Sequence, residues 1–130
     1  MDKQSIQKEA RLYFIPFLLG NNQSAHRLSK KIYKKHKIIC YILDKKKTVA
    51  DILDYSSKFL RLTEAKNTSL TAEQLIYFAD QKPYTLPLLI PCTAEYEQLI
   101  EENRELLEAS FVLSSKGLAL TDSPLNIISQ

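Results

Sequence analysis

Three short polar stretches contain the side chains that could contact a ligand, and each of them follows an apolar run. The runs span residues 16–19, 38–43 and 86–90, and their composition is typical of buried strands. Ligands of open parallel sheets bind beyond the carboxyl ends of the strands, where the strand order reverses. The sequence therefore predicts one crevice, edged by substrate-binding candidates at Gly20, Asn21, Asn22, Ser24, Asp44, Cys92, Thr93 and Glu95.

The first stretch lacks the glycines of a dinucleotide-binding turn. That turn needs three closely spaced glycines, whereas the chain has only Gly20 and Gly117. Asn21 and Asn22 tolerate unusual backbone angles and offer amide donors and acceptors. Asp44 stands near the position of a ribose-binding acid, about 20 residues after the first glycine. Without the other glycines we favour the simpler interpretation, in which Asp44 ends a strand in a polar turn.

The remaining polar candidates have structural explanations that need no ligand. Thr93 is placed to cap a helix, and Glu95 would complement the positive end of the same helix. Cys92 has no histidine in its own turn, so we expect a buried or half-buried thiol rather than a nucleophile. His26 and His36 lie in a basic helical pattern, where lone histidines are usually surface residues. The sequence predicts no catalytic residue and no metal ligand.

Strand patterns alternate with helical patterns along the chain. Further strands are indicated at residues 58–62 and 111–113, and residues 49–55 form a helical turn or a loop. Helices are expected behind Ser24, behind Thr71 in a capping box with Gln74, and behind Thr93. Such alternation produces βαβ units and a parallel sheet. We therefore expect an α/β fold, a Rossmann-like three-layer sandwich with a five-stranded, mainly parallel sheet. The domain is expected to span residues 12–115, with a leader at 1–11 and a C-terminal tail at 116–130.

Composition indicates the class of protein but does not indicate one function. The 130 residues are 45% hydrophobic and 25% charged, and the net charge is +3. Those values are ordinary for a single soluble domain. The two cysteines are far apart, which indicates reduced thiols in a cytoplasmic protein, and no apolar run is long enough to span a membrane. The lysines of residues 24–37 fit the solvated face of a helix, which disfavours nucleic acid as a partner.

Two segments of the chain together carry a family resemblance. The first reads Phe14-Ile15-Pro16-Phe17-Leu18-Leu19-Gly20 and then, after a polar turn, Ser24-Ala25-His26-Arg27-Leu28. The second reads Leu89-Ile90-Pro91-Cys92-Thr93-Ala94-Glu95-Tyr96 and continues through Asn103 and Leu106 to Phe111-Val112. These segments resemble the opening part of ATP-grasp carboxylate–amine ligases, most closely the D-aspartate ligase type.

The resemblance implies a pre-ATP-grasp domain, which is the Rossmann-like N-terminal domain of such a ligase. It also implies that residues 20–22 and 92–95 border the substrate crevice. ATP and magnesium are the cofactors of a complete family member, where a following ATP-grasp region holds them. That region lies outside these 130 residues, so we expect no cofactor within the chain and no activity from the chain alone. The family often has a second glycine where this chain has Asn21.

The sequence thus predicts a stand-alone or truncated pre-ATP-grasp domain with a substrate-crevice or scaffolding role. Its expected partner is an ATP-grasp region or subunit, and its expected ligand is an amino acid or another carboxylate. No membrane partner is expected. One alternative is a small independent module that binds a nucleotide or metabolite at the Gly20 and Asp44 turns. Another is an interaction domain whose basic helix, residues 24–37, meets an acidic protein or a nucleic acid.

Overall fold

One parallel sheet organises the residues that the computed structural model describes, which are 14–83 and 85–113. Five strands run in the order β3-β2-β1-β4-β5 and pair in parallel throughout. They are β1 (Phe14–Leu19), β2 (Cys40–Asp44), β3 (Ser57–Arg61), β4 (Leu86–Pro91) and β5 (Val112–Leu113). The predicted leader, residues 1–11, and the predicted tail, residues 116–130, lie outside the described residues.

Helices cover both faces of the sheet. They are α1 (Gln23–His36), α2 (Val49–Leu53), α3 (Thr68–Asp80), α4 (Ala94–Glu102) and α5 (Arg104–Glu108). Two separate hydrophobic clusters form, one between the sheet and α1 and the other between the sheet and α3, α4 and α5. The Rossmann-like three-layer α/β prediction is confirmed. Within the described ranges, no helix has both the length and the apolar character needed to cross a membrane.

Strand β1 shows why the sequence of this region is apolar at successive positions. Phe17 and Leu19 lie in the cluster with α3 to α5, whereas Leu18 lies in the cluster with α1, and all three side chains are fully buried. A central strand of a sheet covered on both faces needs apolar side chains in both directions. Pro16 is tolerated in β1 because the pairing with β2 begins only at Phe17.

Several predicted boundaries are wrong by a turn or less. Helix α1 begins at Gln23 and is capped by Asn22, whose side chain accepts from the backbone of Ala25, and not by Ser24. Helix α3 begins at Thr68 behind the cap Asn67, so Thr71 lies one turn inside the helix. Asparagine is as good a cap as serine or threonine, and the sequence offers both types at each site. The predicted cap Thr93 is confirmed, since its hydroxyl accepts from the backbone of Tyr96 at 3.1 Å.

The start of β2 also differs from the prediction. The apolar pattern places residues 38 and 39 in the strand, but Lys37 ends α1 in the left-handed conformation, with φ 60° and ψ 33°. The chain uses the next two residues to turn toward the sheet, and β2 begins at Cys40. Glycine or asparagine is usual where a helix ends in this conformation, so a lysine there gives no signal in the sequence.

Candidate functional site

The turns after β1, β2 and β4 meet at the carboxyl edge of the sheet. The amide of Gly20 donates to the carbonyl of Leu43 at 2.9 Å, and the amide of Cys92 donates to the carbonyl of Leu19 at 2.9 Å. Strand order reverses between β1 and β4, so this edge is the topological switch point of the sheet. The structure therefore brings together the three stretches that the sequence singled out.

Gly20 is required by close packing between the first and third turns. Its φ is +124°, a backbone conformation that residues with a side chain rarely adopt. A β-carbon at this position would lie 3.0 Å from Cγ2 of Thr93 and 3.4 Å from Cβ of Cys92. The absence of a side chain at Gly20 thus allows the first turn to pack closely against the third.

Asp44 joins all three turns. Its Oδ2 accepts from the backbone amide of Asn21 at 2.7 Å, and its Oδ1 accepts from the hydroxyl of Tyr96 at 2.8 Å and from the amide of Lys45 at 2.7 Å. Burial raises the pKa of Tyr96, and the Asp44 carboxylate raises it further, so the hydroxyl stays protonated as the donor. The position agrees with the interpretation of Asp44 as an acid that ends a strand in a polar turn.

A cavity of about 510 Å³ opens beside this junction, on the side of α1. Its volume lies within the range of small-molecule sites, about 300–1,000 Å³. Three predicted residues line it: Ser24, Cys92 and Thr93. The other lining residues were not predicted as ligand contacts, and they are Arg27, Leu28, Lys31, Pro91, Ala94 and Glu97.

The other predicted residues have structural roles near the cavity. Gly20, Asn21 and Asp44 join the turns to one another. Asn22 caps α1 and donates from Nδ2 to the carbonyl of Cys92 at 3.0 Å, which ties the start of α1 to the end of β4. Glu95 lies exposed in the first turn of α4, where its charge complements the helix dipole.

The cavity combines positive charge with apolar walls. Arg27 and Lys31 lie four residues apart on one face of α1, and both are exposed to solvent. Leu28, Pro91 and Ala94 supply apolar surface, and Glu97 adds a single carboxylate. Helices α1 and α4 both begin beside the cavity, and the partial positive charge of a helix N-terminus favours anions. The site suits a small anion that also has an apolar part.

Cys92 lines the cavity but is not activated as a nucleophile. Burial raises the pKa of its thiol from 9.0 to about 12, so the thiolate is a trace species at neutral pH. Both cysteines are free, as the sequence predicted. The expected half-buried thiol is the state observed.

A buried polar cluster, which the sequence did not reveal, lies next to the β1–α1 turn. His26 is only 7% exposed, so the expectation of a surface histidine is wrong at this position. Its Nδ1 lies 2.6 Å from Oδ2 of Asp54, and its Nε2 lies 2.9 Å from Oδ1 of Asn21 and 3.2 Å from Oδ1 of Asp51. The signal missed was the spacing of Asp51 and Asp54, which places both carboxylates on the same side of α2.

Both ring nitrogens of His26 face oxygen atoms of neighbouring side chains. The side-chain amide of Asn21 donates to the carbonyl of Lys46 at 3.0 Å and to Oδ2 of Asp51 at 2.7 Å, which fixes its oxygen toward the ring. Oδ1 of Asp51 lies 3.2 Å from Nε2 of His26 and has no hydrogen-bond partner among the described residues. His26 thus links Asn21 to both carboxylates.

The second carboxylate of the cluster is held in its charged form. Burial alone would raise the pKa of Asp54, but hydrogen bonds from Ser56, His26 and Ser57 outweigh it and leave the pKa below its ordinary value of 3.8. The cluster thus contains two buried carboxyl groups and the ring of His26. Its contacts fasten the segment of Asp51 and Asp54 to the start of α1.

Comparison with protein-family models, with curated proteins and with solved structures gave no match. The likeness to ATP-grasp ligases therefore stays a prediction from the sequence. The described residues contain no group of three or more His, Cys, Asp or Glu side chains that could hold a metal ion.

Proposed function

We propose that this domain binds a small carboxylate, such as an amino acid, and forms one wall of the substrate crevice of an ATP-grasp carboxylate–amine ligase. The cavity beside α1 is the observation that carries the proposal. It lies at the switch point of the sheet, which is where open α/β folds bind ligands. The phosphoryl-transfer chemistry would come from an ATP-grasp region or subunit that binds ATP and magnesium itself.

The charges of the cavity support a carboxylate ligand. Arg27 and Lys31 present two cations to the cavity, and a guanidinium matches the two oxygens of a carboxylate. Glu97 is placed to receive an ammonium group, which a free amino acid would supply. Leu28 and Pro91 provide apolar surface for the remainder of the molecule. In this role the chain's own residues bind and orient the substrate.

The test is isothermal titration of the 130-residue protein with a panel of amino acids and simple dicarboxylates. We expect binding that weakens about tenfold or more in Arg27→Ala/Lys31→Ala, because both cations that face the ligand are lost. The matched control is Lys34→Ala, an exposed lysine of the same helix that does not line the cavity. Equal affinity of wild type and the double variant for every ligand of the panel contradicts the proposal. So does magnesium-dependent ATP turnover by this chain alone.

A second candidate is an independent module that binds a nucleotide or another metabolite. One observation favours it: residues of this chain alone line an open cavity of about 510 Å³. The same titration with ATP, ADP and NAD separates the two functions. Tight nucleotide binding, lost in Arg27→Ala/Lys31→Ala, supports the second candidate and removes the first.

A further inference from the structure

Helix α2 presents its apolar side chains to solvent. Val49, Ile52 and Leu53 are 71%, 73% and 75% exposed, and Tyr55 just beyond the helix is 70% exposed. We refer to these four residues as the α2 patch. Helices of small domains ordinarily turn such side chains toward the core. The α2 patch is therefore a surface that the fold itself leaves unexplained.

The polar residues of this segment point the opposite way. The side chains of Asp51 and Asp54 are only 1% and 2% exposed, and they lie against His26 of α1. The contacts of these two carboxyl groups with His26 thus help to hold the segment to the domain. If the segment were turned over, the two carboxylates would bond to water and the apolar residues would face the core. The observed orientation instead keeps four large apolar side chains available on the surface.

Basic residues lie near the α2 patch, in space or along the chain. Tyr55 packs edge-on against Tyr33 of α1, with ring centroids 5.4 Å apart, and Nζ of Lys37 lies 5.4 Å from the centre of the Tyr33 ring. Exposed Lys47 immediately precedes the helix cap, and exposed Lys58 follows Tyr55 by three residues. The two acids of the segment are turned inward, so the outer surface combines apolar side chains with a positive rim.

We propose that the α2 patch is the docking surface for a protein partner whose apolar groove is flanked by carboxylates. The apolar centre supplies the buried contact, and the lysine rim selects an acidic partner by charge complementarity. A two-fold pairing of two α2 patches would place one lysine rim against the other, which argues against a second copy as the occupant. This interface is separate from the cavity that carries the proposed function.

The direct test uses two synthetic helical peptides on the full 130-residue protein, with binding followed by fluorescence anisotropy. One peptide has a leucine stripe flanked by glutamates, and its twin carries lysines in place of the glutamates. We expect the wild-type protein to bind the glutamate peptide, more weakly as salt is raised, and to discriminate against the lysine peptide. Ile52→Ser/Leu53→Ser should weaken binding about tenfold or more.

Two further variants make the test specific. Tyr77→Ser removes a large side chain that is 62% exposed on α3, and it should bind the glutamate peptide as wild type does. Lys37→Glu/Lys47→Glu should transfer the preference to the lysine peptide. Because Ile52 and Leu53 are mostly exposed, their serine variant should keep the wild-type Tm. If it does not, Val49→Ser/Tyr55→Ser replaces it in the same measurement.

Three outcomes overturn the proposal. The first is equal affinity for both peptides, or no binding at roughly 1 mM, since the surface then has no selectivity or no useful affinity. The second is a concentration-dependent dimer in ultracentrifugation that disappears in Ile52→Ser/Leu53→Ser, which identifies a second copy as the occupant. The third is sedimentation with phosphatidylserine vesicles in the absence of peptide binding, which identifies a lipid surface.

Discussion

Replacing His26 by leucine is the sharpest test of a buried ion pair in this cluster, because it removes the ring that lies between Asp51 and Asp54. Both carboxyl groups are nearly inaccessible to water, and Oδ1 of Asp51 has no hydrogen-bond partner among the described residues. Removing one partner of a buried ion pair costs about 3–5 kcal/mol. Domains of this size are stable by about 5–15 kcal/mol, so the loss is a large share of the total.

The ion pair also predicts that the effect of Asp54→Asn on stability changes sign when His26 has already been replaced by leucine. In the wild-type background, Asp54→Asn leaves one acceptor oxygen where two serve His26, Ser56 and Ser57, and it should destabilise the fold. In the His26→Leu background the same substitution removes an uncompensated buried charge and should restore part of the stability. This coupling follows from the ion pair and does not follow from packing.

The assay is urea unfolding followed by far-ultraviolet circular dichroism, since the chain contains no tryptophan. Free energies of unfolding are compared for wild type, both single variants and the double variant. Lys35→Leu, at an exposed position in the last turn of the same helix, is the control for a new leucine. The buried ion pair is refuted when His26→Leu lowers the free energy of unfolding by less than about 1 kcal/mol. It is also refuted when the effects of the two substitutions on that free energy are additive within about 0.5 kcal/mol.

Three further predictions concern the cluster and the junction of turns. The pKa of Asp54 is below 3.8 in the folded state. The stability that the Asp54 carboxylate contributes is therefore complete above pH 3.8 and is lost as the pH falls further. Asp54→Asn should flatten the acid side of a plot of Tm against pH. A Tm that falls equally steeply in both proteins contradicts this. Gly20→Ala should lower the free energy of unfolding, measured with urea, by about 1–3 kcal/mol. The reasons are the positive φ of residue 20 and the 3.0 Å distance from the added β-carbon to Thr93. A neutral effect would show that the turn can relax. Iodoacetamide should alkylate Cys92 about a thousandfold more slowly at pH 8 than a free thiol, since the pKa of Cys92 is raised from 9.0 to about 12. Mass spectrometry of the Cys40→Ser variant measures the rate at Cys92 alone. Alkylation at the rate of a free thiol refutes the prediction.

The strands could be predicted from the sequence because their signal is local. A strand covered on both faces must be apolar at successive positions, and the predicted runs at residues 16–19 and 86–90 have this pattern; the strands themselves span 14–19 and 86–91. The cap Thr93 was also readable, since a cap requires only a side-chain oxygen close in the chain to a free amide. The parallel, Rossmann-like sheet followed from the alternation of strands and helices, whereas the order of the strands is known only from the structure.

Only the tertiary structure decided the role of residues that meet across the fold. Arg27 and Lys31 have the pattern of a solvated helix face, and they become cavity residues because β4, far along the chain, ends beside them. His26 is buried beside Asp51 of α2 and Asp54, the residue after α2, which both turn inward; the apolar residues of α2 argue against that orientation. Local patterns determine which segments form strands and helices, whereas the pairing of charges depends on how those segments pack.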